Sequence, residues 1–273
     1  MKPSDSQDKP LSEHLEDLRG VLWRCILVWA VASVVAFCCK DALFAVVFAP
    51  SRSDFCLFRA LTWLSEQLQW DALRPAAVEP HFIATELTAQ FMTHLTVSLA
   101  AGLVVSSPYI IAKFYGFIAP ALQHTERKFS VRIVVAGSIL FWLGVLLNYF
   151  LIFPFAYRFL STYQVQADVV NQITISSYIS LLLILSLLMG VLFELPIVAY
   201  FLARMGLLSA QTMRRYRKHA FVAILIVAAV ITPTGDAVTL LLVALPIYAL
   251  YVLSILVAQR TQTHNRKGAT QPL

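Results

Sequence analysis

Three groups of carboxylates in this chain sit where an acid has something to do. Glu126 closes a polar island, Phe117-Ile-Ala-Pro-Ala-Leu-Gln-His-Thr-Glu-Arg-Lys128, set between two long apolar runs. The residues three and four positions away are Leu122, Gln123, Phe129 and Ser130, so no cation shares its helical face and the carboxylate is open to a cation from elsewhere. The alternative is a loop acid solvated beside Arg127 and Lys128. A second group lies in Leu11-Ser-Glu-His-Leu-Glu-Asp-Leu-Arg-Gly-Val-Leu22, where leucines 11, 15, 18 and 22 form one helical stripe. Glu13 and Asp17 stand four apart, and their repulsion of a few tenths of a kcal/mol would be relieved by a visiting cation. The competing use of this face is local, with Glu16 pairing Arg19 and Arg24 compensating one turn on. The third acid, Glu194, lies inside an apolar run at Gly190-Val-Leu-Phe-Glu-Leu-Pro196.

The chemistry these acids offer is ion pairing and hydrogen bonding. No nucleotide motif, metal-ligand spacing or nucleophile with a base appears, so the sequence reads as no enzyme and calls for no cofactor or metal. Cys25, Cys38, Cys39 and Cys56 lack paired CxxC spacing. Cys56 could bridge Cys38 or Cys39 in an oxidising compartment, buried free thiols being the commoner case.

The elements that must carry these acids are membrane helices. The chain is 59% hydrophobic and 13% charged with a mean hydropathy of +0.74, far more apolar than soluble domains. Apolar runs cover Cys25 to Cys39, Thr88 to Ala112, Ile133 to Phe155 and Tyr178 to Ala203. A further run, Ala220 to Ala258, is broken at Thr232-Pro-Thr-Gly-Asp236 into two short spans. The expectation is an all-α membrane protein with six transmembrane helices and both termini on one side. Lys and Arg number four, four, five and three in the N-terminal segment, the 113–132 loop, the 204–218 loop and the tail, against four and one in the intervening loops. Positive residues stay inside, so both termini and the Phe117 island are expected in the cytoplasm. The net charge of +6 follows from this asymmetry and from anionic lipid, and does not indicate nucleic acid. Residues 1–20 are acidic and polar, unlike a cleaved signal peptide, so the first span is expected to be retained.

In chain order, residues 1–10 read as a disordered N-terminus, 11–258 as one six-span domain and 259–273 as a cytoplasmic tail. Within the domain, 11–22 forms an amphipathic helix at the inner surface running into the first span. Residues 40–82, with Phe48-Ala-Pro50, Trp63, Leu64, Leu68 and Trp70, form a helical cap on the outer surface, and 113–130 is the inner loop. His94 reads as structural. Ser106-Ser-Pro108 bends a helix whose freed carbonyl a hydroxyl can satisfy, and Gly137, Ser138 and Gly144 permit close helix contact. Counted from Arg204 at about 1.5 Å per residue, Glu194 lies roughly 15 Å inside the membrane, near mid-depth. A carboxylate there costs about 2.5–3.5 kcal/mol and normally faces a cavity or a partner, the alternative being a bond to a backbone carbonyl. Pro196 can open a kink beside it. Ala220 to Ile231 spans roughly 18 Å against a hydrocarbon thickness near 30 Å, and Asp236 reads as a turn former at the outer interface.

Taken together, His14-Leu-Glu-Asp-Leu-Arg19, Phe48-Ala-Pro50, Phe117-Ile-Ala-Pro-Ala-Leu with Glu126-Arg127, Phe193-Glu-Leu-Pro196, Thr232-Pro-Thr-Gly-Asp236 and Leu245-Pro246 resemble, in order, the TatC family of twin-arginine translocase subunits. The family usually has glutamate where this chain has Asp17, and its last turn is commonly Thr-Pro-Pro-Asp. The resemblance covers roughly residues 11 to 258. It implies a receptor in the bacterial cytoplasmic (inner) membrane that recognises twin-arginine signal peptides of folded proteins. It further implies a multimeric complex with TatA- and TatB-like single-span partners, driven by the proton-motive force. Asp17, Arg19, Phe117 and Glu126 would form the signal-peptide site, and Glu16, Arg127, Pro50 and Asp236 are further candidate site residues. Glu194 would be a polar anchor in a concave lateral face, for a partner helix or for the signal peptide's apolar segment. A proton-coupled small-solute transporter using Glu194 is the alternative. Transporters place polar groups on several spans and show repeated halves, neither of which is seen here. A scaffold without a site would leave charge reversal at Asp17 or Glu126 silent.

Overall fold

The computed structural model describes residues 11–69, 81–118, 127–166, 168, 171–231 and 237–269. The expectations for residues 1–10, Glu126 and Asp236 fall outside these. Apolar segments without water to bond their backbone have the helix as their ready solution, and the described chain is mostly helical. Its elements are α1 (Leu11–Cys38), α2 (Lys40–Phe48), a 3₁₀ turn at Ala49–Ser51, α3 (Cys56–Leu68), β1 (Phe82–Ile83), α4 (Ala89–Ile118) and α5 (Arg127–Leu147). A π turn at Asn148–Ile152 leads into α6 (Phe153–Thr162), followed by β2 (Ile173–Thr174), α7 (Ile175–Leu192), α8 (Leu195–Arg204), α9 (Ala210–Arg215), α10 (Arg217–Ile231) and α11 (Ala237–Ala269). Among the described residues five helices are long and apolar enough to cross a membrane: Glu16–Cys38, Ala89–Phe117, Val131–Thr162, Ile175–Arg204 and Thr239–Gln262.

Two expectations are corrected. The last span, expected to be short, is not: α11 runs 33 residues, of which Thr239–Gln262 is long enough to cross, whereas α10 has 15. The helix passes Pro246 and continues into the polar tail, where Gln262 ties it to the chain before α9, its side-chain carbonyl also accepting from the Ala210 N–H at 3.3 Å. The Thr261 hydroxyl donates to the Val257 carbonyl at 2.9 Å and the Gln262 amide to the Leu208 carbonyl at 3.1 Å. The fold is also not purely helical, since β1 and β2 pair in parallel with Phe82 opposite Ile173. At two residues each, such strands leave no period to read. The amphipathic 11–22 segment is continuous with the first span, as one helix.

The helices pack in a definite order. α1 lies along α4, α4 meets α5 and α7, α5 packs on α7, and α8 packs on α11, which also holds α10. One core joins Val47, Val97, Phe153, Tyr157, Tyr178 and Leu185 at one end, where the Tyr178 hydroxyl donates to the Val47 carbonyl at 2.9 Å. A second joins Met189 and Phe193 to Ala228, Val243 and Ile247. In α4, Pro108 cannot donate to the Val104 carbonyl, and the Ser107 hydroxyl does so instead at 2.7 Å. His94 stacks on Phe37 with ring centroids 4.0 Å apart and lies 3.1 Å from the Phe37 carbonyl, a structural role as expected. In the π turn, the fully buried Asn148 donates to the Ser186 hydroxyl at 2.8 Å and pins α5 to α7.

The α5–α7 crossing depends on two missing side chains. A Cβ on Gly144 would stand 2.5 Å from the Met189 carbonyl oxygen and 2.8 Å from its carbon, and one on Gly190 2.7 Å from the Phe141 ring. Backbone cannot yield as a side chain end can. Gly144→Ala is therefore expected to cost about 1–3 kcal/mol and to lower the thermal unfolding midpoint of detergent-solubilised protein. Gly20→Ala, where a Cβ meets nothing within 4 Å, serves as the control with an unchanged or raised midpoint.

Candidate functional site

Helix pairing decides which acids can act together. α1 and α4 run antiparallel: Phe37 meets His94, and a Cβ on Gly102 would clash with the Ser33 backbone at 2.6–2.7 Å. Lower down, Cys25 lies in the field of Lys113. Continued along the helices, this register carries the start of α1 toward the last turn of α4. Glu16, Asp17 and Arg19 are exposed there, and Phe117, on that last turn, is half-buried. α4 ends at Ile118 and α5 begins at Arg127, so Phe117 and Arg127 flank the segment that carries Glu126. Pro50 is not part of this group. It is buried in the 3₁₀ turn beyond α2, beside Ser51, whose hydroxyl donates to the Phe48 carbonyl at 2.8 Å. That places it at the opposite end of α1.

Glu194 stands at a break in the fourth long apolar segment. The Glu194 N–H reaches back only three residues, to the Val191 carbonyl at 3.1 Å, and α8 restarts with Ile197 and Val198 both donating to the Glu194 carbonyl, at 2.9 and 3.0 Å. Pro196 sits in the first turn of α8, where its missing N–H is tolerated. The side chain turns toward α4 and α5. The Tyr115 hydroxyl donates to Oε2 at 2.7 Å, and Oε2 lies 3.1 Å from where a Cβ on Gly137 would be. The Tyr115 ring also packs on Phe201 of α8, centroids 5.2 Å apart. The other oxygen, Oε1, is buried and has no hydrogen-bond partner among the described residues. Along α4, Tyr115 is two residues from the end of its apolar stretch at Phe117, so Glu194 lies toward the Phe117 end of the bundle.

Around the break the surface is apolar and open. Val191 is 63% exposed, Leu195 37% and Val198 46%, three residues that share a helical stripe with Glu194. The site can thus offer hydrogen bonding inside an apolar face. Among the described residues no group of three or more His, Cys, Asp or Glu side chains is placed to hold a metal ion.

The sequence singled out Glu194 and Gly137 but passed over Tyr115. Its only signal was a hydroxyl on an apolar helix, and the pairing spans 79 positions, which no local pattern reports.

Residues 13–246 match the family of the Sec-independent protein translocase protein, TatC. The TatC protein of Blattabacterium sp. subsp. Periplaneta americana is 32% identical over 258 residues, 93% of this chain and 97% of that one. The TatC protein of Helicobacter pylori strain J99 is 42% identical over 168 residues, 62% of this chain and 67% of that one. A crystal structure of the twin-arginine translocase receptor TatC superposes with a TM-score of 0.69 at 28% identity, covering 91% of this chain and 99% of that one. The chain therefore belongs to the TatC family of Sec-independent protein translocase proteins, the multi-pass receptor component of twin-arginine protein transport in the inner membrane.

Proposed function

We propose that this chain binds twin-arginine signal peptides of folded proteins at the cytoplasmic end of the α1–α4 pair and assembles the translocase with TatA- and TatB-like single-span partners. In this reading α10 is the fifth of six spans, and both termini and the 113–130 segment face the cytoplasm. Two guanidinium groups meet Asp17 and Glu126, Phe117 covers them on an apolar side, and Arg19, Glu16 and Arg127 shape the surrounding charge. The observation that carries the proposal is the antiparallel register of α1 and α4, which supports bringing the acidic start of one helix level with the end of the other. Glu194, set in the exposed stripe of Val191, Leu195 and Val198, is the polar anchor of a concave lateral face. It receives a partner helix or the signal peptide's apolar segment.

The test is crosslinking of a twin-arginine signal peptide to membranes carrying this chain. Asp17→Ala and Glu126→Ala are each expected to reduce the crosslink about tenfold, the loss of one charge-assisted bond, and a peptide with a lysine pair should behave like the variants. Unchanged crosslinking in both variants would remove the site. No crosslink in wild type, together with solute-coupled proton flux that Glu194→Gln abolishes, would favour a small-solute transporter.

A further inference from the structure

We infer that Tyr115 is a positioning residue that holds Glu194 away from the exposed face until the end of α4 moves. The inference rests on Glu194 being the docking point of that face. Its backbone lies in the stripe of Val191, Leu195 and Val198, all exposed, yet the carboxyl is turned inward. Tyr115 holds Oε2 at 2.7 Å, and the absence of a side chain at Gly137 makes the space for it.

The inward position leaves the carboxyl half satisfied. Oε1 is buried and makes no hydrogen bond to any described residue, an arrangement that costs free energy wherever it occurs. Turning the side chain toward the stripe would let Oε1 meet a polar group of a docked helix. The inward state is thus held by a single hydrogen bond and carries an unmet one, which is the balance of an element that can take two positions.

Tyr115 is also well placed to be moved. It stands on the last turns of α4, two residues before Phe117, and its ring packs on Phe201 of α8. A signal peptide that engages Phe117 acts on the same helical turn. Loss of the Tyr115 bond then frees Glu194 for the single-span partner's helix, so that docking follows recognition.

The test uses membrane vesicles with the full chain and its single-span partners, and a benzoylphenylalanine photoprobe at position 198, read as crosslinks to the partner with and without a synthetic twin-arginine signal peptide. Wild type should crosslink weakly without peptide and strongly with it. Tyr115→Phe keeps the ring on Phe201 and removes the hydroxyl. It should raise the peptide-free crosslink about fivefold, the worth of one net hydrogen bond, which damage to the fold would not produce. Glu194→Gln, with Tyr115 intact, should weaken the peptide-dependent crosslink. A Tyr115→Phe crosslink equal to wild type in both conditions overturns the latch while leaving the docking face intact. A peptide-dependent crosslink that Glu194→Gln leaves unchanged overturns Glu194 as the docking point, and the latch with it.

Discussion

The structure depends on one face of α5, on which two glycines flank a single phenylalanine ring. Gly137, Phe141 and Gly144 lie on consecutive turns and meet Glu194, Gly190 and Met189 in reverse order. Without water to drive association, membrane helices hold together by close packing and by the few hydrogen bonds they can make across the interface. Here both occur on the same face. The two glycine contacts set the α5–α7 distance, Asn148 bonds Ser186 one turn further along, and at the other end the same closeness lets Glu194 reach across to Tyr115 on α4. A wider crossing would leave the carboxyl in lipid.

The break between α7 and α8 is a consequence of that placement. Pro196 cannot continue the ladder, so the chain steps through a tighter turn at Phe193 and Glu194 before α8 restarts against α11. The apolar segment remains one long span, yet its two halves serve different neighbours. α7 belongs to the core with α5 and α11, and α8 to a core with α9 and the far end of α11. Glu194 sits at the joint, which is why a polar group is found between them.

Much of this was legible in the sequence because the membrane simplifies the rules. Long apolar runs had to be helices, Pro108 needed a hydroxyl and found Ser107, Pro196 broke its helix, and the glycines of the third run marked a close contact. What escaped had a physical reason. The length of α11 was underestimated because hydropathy marks where lipid-compatible sequence stops and says nothing of where a helix stops; Gln262, bonded to the Leu208 carbonyl and the Ala210 N–H, anchors the extension. The β1–β2 pair is too short for any period. The role of Tyr115 depends on the register of helices far apart in the chain. Of the candidate signal-peptide residues, Asp17 and Arg19 lie on α1 and Phe117 on α4, while Glu126 lies outside the described residues.

The central claim is that arginine pairs are read by carboxylates at the end of the α1–α4 pair. The most direct measurement is the affinity of matched arginine-pair and lysine-pair signal peptides for the full chain in lipid nanodiscs, compared with the Asp17→Asn, Glu126→Gln double variant. The account predicts roughly tenfold or greater preference for arginine in wild type, because only a guanidinium can engage a carboxylate bidentately, and a preference near unity in the double variant. An arginine preference of the same size in both proteins would contradict it and place recognition elsewhere on the molecule.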